Sequence, residues 1–194
     1  QGFQDLGGEG TLDMIETMGQ EQFLELEGDA MAGAFSAMDQ GQMESMGQGE
    51  VFEAAGQMDQ AALGSMEAGS ALAMVDTIGH DNLGDLEGGQ LGGLFDAMGA
   101  DHIESLGGEQ VFDMVGNMSG DDFGQMGSDS AFGMFETMGD DQVLNMDGGA
   151  MSGMFGAMDS EHIAGMAGDT TRGAFEAMGT EGFKDMGGDA MSGM

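Results

Sequence analysis

The chain of 194 residues has no Cys, Pro, Trp or Tyr, and its only basic residues are Arg172 and Lys184. Without Cys there is no disulfide framework and no thiolate metal site. With two bases against 37 acidic residues, the formal charge is −35. Nucleic acid and anionic membranes would repel such a chain. The 40 Gly do not make it collagen, because Pro and a Gly-X-Y period are both missing. No segment reaches the roughly 18 consecutive apolar residues of a membrane-spanning helix, so membrane insertion is not expected. The opening Gln1-Gly2-Phe3-Gln4-Asp5 lacks the basic start and apolar stretch of a signal peptide. There is no initiator Met, and the pattern is interrupted at Met194, so the chain reads as a window of a longer repeat protein.

What remains is 24 Met, 12 Phe and a hydrophobic content of 40%, more than an acidic disordered tail carries. These residues recur with a strict period of twenty. Counting Phe3 as position one, the equivalents are Phe23, Met43, Leu63, Leu83, Ile103, Phe123, Val143, Ile163 and Phe183, all apolar. Position four, from Leu6 to Met186, is always Leu or Met, and position sixteen is Met or Ile from Met18 to Met178. No insertion or deletion breaks the register.

Within one copy the spacing is helical. Met31, Ala34, Phe35 and Met38 fall at i, i+3, i+4 and i+7, as do Leu91, Leu94, Phe95 and Met98. Each copy is expected to hold one helix of about seven or eight residues around Phe23 to Leu26, and one of about ten around Met31 to Met38. Gly at position six (Gly8, Gly28, Gly88, Gly108, Gly148, Gly168, Gly188) suits a left-handed C′ that ends the shorter helix. Position seven (Glu9, Asp29, Glu109, Asp129, Asp169, Asp189) suits an N-cap or the positive end of the next helix dipole. Gly or a capping Asp or Ser at position seventeen marks the second break.

Helices this short are marginal alone. Interior Gly at Gly93, Gly133, Gly153 and Gly173 weakens them further, by up to about 1 kcal/mol each. The copies must therefore bury one another's apolar faces. The expected fold is an all-α solenoid of about ten two-helix repeats, starting near residues 3, 23, 43, 63, 83, 103, 123, 143, 163 and 183. One continuous array over residues 1–194 would form a rod or superhelix about 80–100 Å long. The interior Gly, with small residues at position fifteen (Thr17, Ala37, Thr77, Ala97, Ala157, Ala177), would let helices approach closely.

The rhythm Phe123-x-x-Met126 followed by Met134-Phe135-x-x-Met138 resembles the superhelical N-terminal domain of MgtE-type magnesium transporters and the armadillo-like middle domain of the flagellar rotor protein FliG. The resemblance implies a superhelix of short helices. It implies no function.

No catalytic signature is present: no G-x-S-x-G, H-E-x-x-H, P-loop or G-x-G-x-x-G occurs. An enzyme is therefore not expected. His80, His102 and His162 read as variable surface positions. His102 and His162 share position twenty three copies apart, about 25–30 Å in a stack and too far for one metal. Met151/Met154 and Met191/Met194 have the spacing of soft Cu(I) ligands, but Met recurs at positions four, twelve and sixteen, where periodicity places the core. No EF-hand loop occurs, and no residue is assigned as a specific metal ligand or cofactor site. The position-nineteen acids Glu21, Asp81, Asp101, Asp121, Asp141, Glu161 and Glu181, with Glu16, Asp76, Asp96, Glu136 and Glu176 at position fourteen, would form solvated acidic ladders. These complement helix dipoles and weakly attract Ca²⁺ or Mg²⁺ as screening ions.

Roughly three to four net negative charges per copy repel one another, which suits a salty or divalent-rich medium. The leading expectation is a non-catalytic structural region: an extracellular or cell-surface filament, giant surface protein or adhesin stalk in a marine or high-salt setting. Its partners would be further copies of the repeat, assembling into fibres. The alternative is a solenoid binding module presenting a groove to a partner protein or divalent cations. Position ten varies most (Leu12, Ala32, Phe52, Leu72, Gly92, Phe112, Phe132, Ser152, Arg172, Ser192) and would be part of such a face.

Overall fold

A computed structural model describes residues 3–166, 172–174 and 176, and among these it is all-helical with no strand. The elements are α1 (Phe3–Met18), α2 (Gln20–Leu24), α3 (Gly28–Ala37), α4 (Gln40–Met46), α5 (Gln48–Gln57), α6 (Gln60–Gly64), α7 (Ala68–Ile78), α8 (His80–Leu83), α9 (Gly88–Leu106), α10 (Gly108–Val115), α11 (Gly120–Phe123), α12 (Ser128–Met138), α13 (Asp140–Val143), α14 (Gly148–Ala157) and α15 (Ser160–Gly165). α1 and α9 each contain a non-helical Gly, Gly7 and Gly99, so each joins a shorter and a longer segment. The chain divides into two compact units, Gln1–Met98 and Gly99–Met194.

Long and short helices alternate as the period requires, but the breaks differ from expectation. The short helices run four to seven residues, most of them shorter than the expected seven or eight, and begin at position eighteen. Most close with a tight turn in which the position-four amide donates to the position-one carbonyl, as in Leu26→Phe23, Met66→Leu63, Leu86→Leu83, Met126→Phe123 and Met146→Val143. Such i→i−3 bonds are the 3₁₀ ending that satisfies carbonyls a short helix leaves open.

Position six is not the left-handed cap. Gly28, Gly88, Gly108 and Gly148 open the long helices, and the break falls one residue earlier. There the chain is extended at Glu27, Glu67 and Asp147, or has positive φ at Gly7, Gly47 and Gly107. Gly8 likewise lies within helix, directly after the break at Gly7. Gly168 and Gly188 lie outside the described residues. Position seven accordingly lies inside the first turn, where Asp29, Glu109 and Asp129 complement the helix dipole rather than cap it.

Position seventeen does mark the second break, by two devices. Gly19, Gly79, Gly99 and Gly139 have φ of 86°, 73°, 66° and 74°, a region that L side chains avoid. Asp39, Asp59, Ser119 and Asp159 instead stay extended and cap the next helix with their side chains. Asp39 accepts from the Gln42 amide at 2.9 Å, and the Gln42 side chain accepts from the Asp39 amide at 2.9 Å, closing a capping box.

The core follows the helical stripe. Met31, Ala34, Phe35 and Met38 are buried, as are Leu91, Leu94, Phe95 and Met98. Position one is buried from Phe23 to Ile163. Position sixteen Met residues from Met38 to Met158 are core, and so are the Met residues at position twelve from Met74 to Met154. Position four is not uniformly core: Met66, Leu86 and Met126 are buried, whereas Leu26, Met46, Leu106 and Met146 are half-buried and Leu6 is 46% exposed. Its place at the tight turn after the short helix explains this. Edge-to-face aromatic pairs stiffen each unit: Phe23 with Phe35 at 5.7 Å in the first, and Phe135 with Phe155 at 5.6 Å in the second.

Within each unit a helix packs on the third helix along: α2 on α5, α3 on α6 and α4 on α7 in the first, α10 on α13 and α11 on α14 in the second. Successive long helices also touch, as in α5 with α7 and α12 with α14. The packing interval is therefore about one and a half sequence copies. Side-chain bonds repeat it: Gln20 Nε2 donates to Glu53 Oε2 (2.9 Å), the Glu67 amide to Ser36 Oγ (3.1 Å) and Gln90 Nε2 to the Gly56 carbonyl (2.8 Å), at separations of 33, 31 and 34 residues.

The expectation about interior Gly holds at all four sites, with a Cβ at Gly173 2.8 Å from the flexible Leu144 Cδ2 and the other three against residues 33 positions away. A Cβ at Gly93 would lie 2.5 Å from the Gln60 carbonyl oxygen, at Gly133 2.9 Å from Ala100 Cα, and at Gly153 2.5 Å from Gly120 Cα. Each contact is again 33 residues away, where a long helix meets the start of a short one. Position fifteen does not share this role. Among the described residues it is half-exposed or exposed, and the Thr77 and Thr137 hydroxyls bond back to the Ala73 and Gly133 carbonyls at 2.7 Å; Ala177 lies outside the described residues.

Candidate functional site

Four features could carry chemistry: the acidic positions, the histidines, the thioethers and the cavities. The position-nineteen acids Glu21, Asp81, Asp121, Asp141 and Glu161 stand in the first turns of their short helices, and Asp101 follows the break at Gly99. All six are exposed. Glu181 lies outside the described residues. In the second unit, position-nineteen Asp101 and position-fourteen Glu136 meet with Glu104 around a shallow cavity of about 330 Å³, beside Gly133 and Thr137. Among the described residues, no group of three or more His, Asp or Glu is placed to hold a metal ion.

His162 departs from the surface reading given to the histidines. Its side chain is 20% exposed and stacks on Phe132 with ring centroids 4.5 Å apart. Nε2 lies 3.4 Å from Asp129 Oδ1, on α12, and Nδ1 lies 3.1 Å from Asp159 Oδ1. The second contact lacks the alignment of a hydrogen bond, so it is an ion-pair contact only when the ring is protonated. The two nitrogens face different carboxylates and do not converge on a common point. Asp159 is held below the usual carboxylate range, first because the His162 backbone amide donates to it. The imidazole and the Glu161 amide act in the same direction, and desolvation opposes them. His102 is half-buried.

The thioethers behave mainly as packing. Met151 and Met154 are fully buried on one helix face, and Met191/Met194 lie outside the described residues. Of the two bases, Arg172 is exposed, and Lys184 lies outside the described residues.

The larger cavity, about 370 Å³, lies in the first unit where the second half of α1, α2, the end of α4 and the start of α5 meet. Phe23 and Ile15 are its buried floor, Leu12 and Met46 its half-buried walls, and Glu16 and Glu50 its carboxylates. Sequence reasoning missed it. A signal was present at position eight, where Glu50 replaces the Ser, Gln or Ala of Ser70, Gln90, Ser130 and Ala150. Those four are buried, whereas Gly10, Ala30, Glu50 and Gln110 at the same position are half-buried, and Glu50 is the one carboxylate among them.

No family model, curated protein or solved structure matches this chain. Among the described residues no helix is long and apolar enough to cross a membrane.

Proposed function

We propose that this chain is a non-catalytic structural repeat, an α-solenoid region that sets distance in an extracellular or cell-surface filament or stalk. The carrying observation is the recurring 31–34-residue interval between side-chain partners in the first unit. Packing on every third helix makes three helices one turn, and each added copy contributes the same seam as the last. Elongation then needs only more copies, and the natural partners are further copies of the repeat. The same reading accounts for the exposed position-nineteen acids: most stand in the first turn of a short helix, where they support that helix while leaving the surface strongly negative.

The charge ties this function to its medium. With −35 spread over the chain, low ionic strength opposes compaction. At about 1 M salt the Debye length is about 3 Å and neighbouring carboxylates no longer repel at helix–helix distances. A marine or halophilic setting, with Ca²⁺ or Mg²⁺ as diffuse screening ions, fits this requirement.

Small-angle scattering on chains lengthened by whole 60-residue blocks, two turns and three sequence copies, tests the spacer reading. The maximum dimension is expected to rise by a constant increment per block. Growth with the cube root of length would overturn it. Far-UV circular dichroism during desalting with a chelator tests the medium, with loss of helix expected and an unchanged spectrum counting against it.

A further inference from the structure

We propose that the outer face of α1 is a docking surface for a further copy of this repeat, brought by a second molecule of this chain. This rests on the structural-repeat reading and adds the residues that receive the incoming copy. Two independent observations meet on this face.

The first is burial. Position twelve is core in every later described copy: Met74, Leu94, Met114, Met134 and Met154 are buried, and so are Ala34, Ala54 and Ala174. Met14, at the same position, is 39% exposed. At position sixteen Met18 is half-buried, whereas its equivalents from Met38 to Met158 are buried. Leu6 is exposed as well. A repeat built to face water carries polar residues at such places, and this one keeps the residue types of a buried seam.

An equivalent helix shows what belongs there. α7 carries Met74 and packs on α3, α4 and α5, all of which precede it. The partners of α1 are α2, α3 and α4, all of which follow it. The place that the short helix α4 takes on α7 has no counterpart on α1 among the described residues. The face is therefore shaped for a short helix of the same repeat, and continuity of the seam selects a second copy over an unrelated partner.

The second observation is polar. Position eleven meets position eighteen 33 residues earlier, and on α5 the meeting is a hydrogen bond in which Gln20 Nε2 donates to Glu53 Oε2 at 2.9 Å. Asp13 is the position-eleven acid of α1, exposed and without a partner among the described residues. A carboxylate can only accept. An incoming short helix with an amide or hydroxyl at position eighteen, as at Gln40, Gln60 and Ser160, supplies the donor. The contact sets α1 of one molecule against a different surface of the next, so it is heterologous and can propagate. Asp5, Glu9, Asp13 and Glu16 on α1 oppose it until salt screens them.

The test is sedimentation velocity of the full chain over a concentration series at about 1 M salt, where the Debye length is about 3 Å, with methyl NMR of the Met signals. Mass should rise with concentration, and Met14 and Met18 should shift with it while Met31 and Met74 stay fixed. Met14→Glu should keep its helicity, because the position is exposed, and should weaken self-association by about tenfold or more. A trace of labelled Met14→Glu chain should still co-sediment with excess unmodified chain, because its short helices are intact. A monomer at every concentration would overturn the proposal, whether Met14 is then bare or covered by the same chain. Equal self-association of Met14→Glu would overturn it too, as would loss of co-sedimentation, which is the mark of α1 pairing with α1. Lengthened chains that stay monomeric yet grow linearly would remove this surface alone. Cube-root growth with association intact would instead remove the spacer reading.

Discussion

In the first unit, residues 1–98, the helices that meet across one and a half copies are joined by side-chain amides and hydroxyls: Gln20 to Glu53, Gln48 to the Ile78 carbonyl, Ser36 to Glu67 and Gln90 to Gly56. In the second unit, residues 99–194, the same interval brings Gly133 against Ala100 and Gly153 against Gly120, so that small residues meet there, and it also sets His162 Nε2 3.4 Å from Asp129 Oδ1. A polar seam tolerates side chains but requires every donor to find an acceptor. A seam of small residues requires no partner but leaves no room for a Cβ. Gln60 sets its backbone against Gly93, and its buried side-chain amide has no hydrogen-bond partner among the described residues.

The core beneath both seams should be equally sensitive. Phe35→Ala in the first unit and Phe155→Ala in the second remove matching halves of the two edge-to-face pairs. Each is expected to cost about 3–5 kcal/mol in urea unfolding at high salt. A large inequality would mean that the units differ in their cores as well as in their seams.

The seams themselves should then separate. Gly153→Ala places a Cβ against the Gly120 backbone, which cannot rotate away, and should lower stability by about 1–3 kcal/mol. Gly33→Ala, also at position eleven, meets nothing within 4 Å and should instead raise it by about 0.5–1 kcal/mol. If both substitutions had the same sign, close approach would not be what selects Gly at position eleven.

Polar satisfaction gives a smaller pair of effects. Gln90→Leu should cost about 1–2 kcal/mol by orphaning the Gly56 and Met58 carbonyls. Gln60→Ala should stabilise by about 1 kcal/mol, since it removes an unpartnered amide and copies the Ala100–Gly133 arrangement. Thermal unfolding of the two variants side by side reads both signs.

The smallest effect concerns acid. The Asp159 carboxyl is held below its ordinary value by the His162 amide. Its contribution is therefore complete above the unfolded value, about 3.9, and is lost as pH falls through the lower folded value. Asp159→Asn should flatten the acid limb of stability slightly and leave the neutral region almost unchanged. An acid titration of both proteins, followed by helicity, checks this.

Much of the fold was legible in the sequence because position one and the i, i+3, i+4, i+7 stripe are repeated without a slip. The alternation of helices, the burial of Phe35, Phe95 and Met98, and the break at Gly19, Gly79, Gly99 and Gly139 all follow from that pattern. The placement of the other break was not legible. Gly at both positions five and six leaves two candidates in the first and sixth copies, and only the backbone identifies Gly7 and Gly107, with Gly47 in the third copy, as the left-handed ones. The packing interval was hidden for a deeper reason. A period of twenty constrains which residues are equivalent and says nothing of which copies touch. The cavity at Glu50 was visible only as the one carboxylate among the neutral residues of position eight.

The packing interval is the claim on which the rest depends, and the absence of Cys makes it directly measurable with introduced pairs. A Cβ at Gly28 lies 3.0 Å from Ala62 Cβ, close to the roughly 3.8 Å of a disulfide. Oxidation of the double variant Gly28→Cys with Ala62→Cys should therefore give a rapid intramolecular cross-link, while Gly28→Cys with Gln48→Cys, spaced by one sequence copy, should remain largely reduced. Rapid closure of the 20-residue pair with failure of the 34-residue pair would contradict the account.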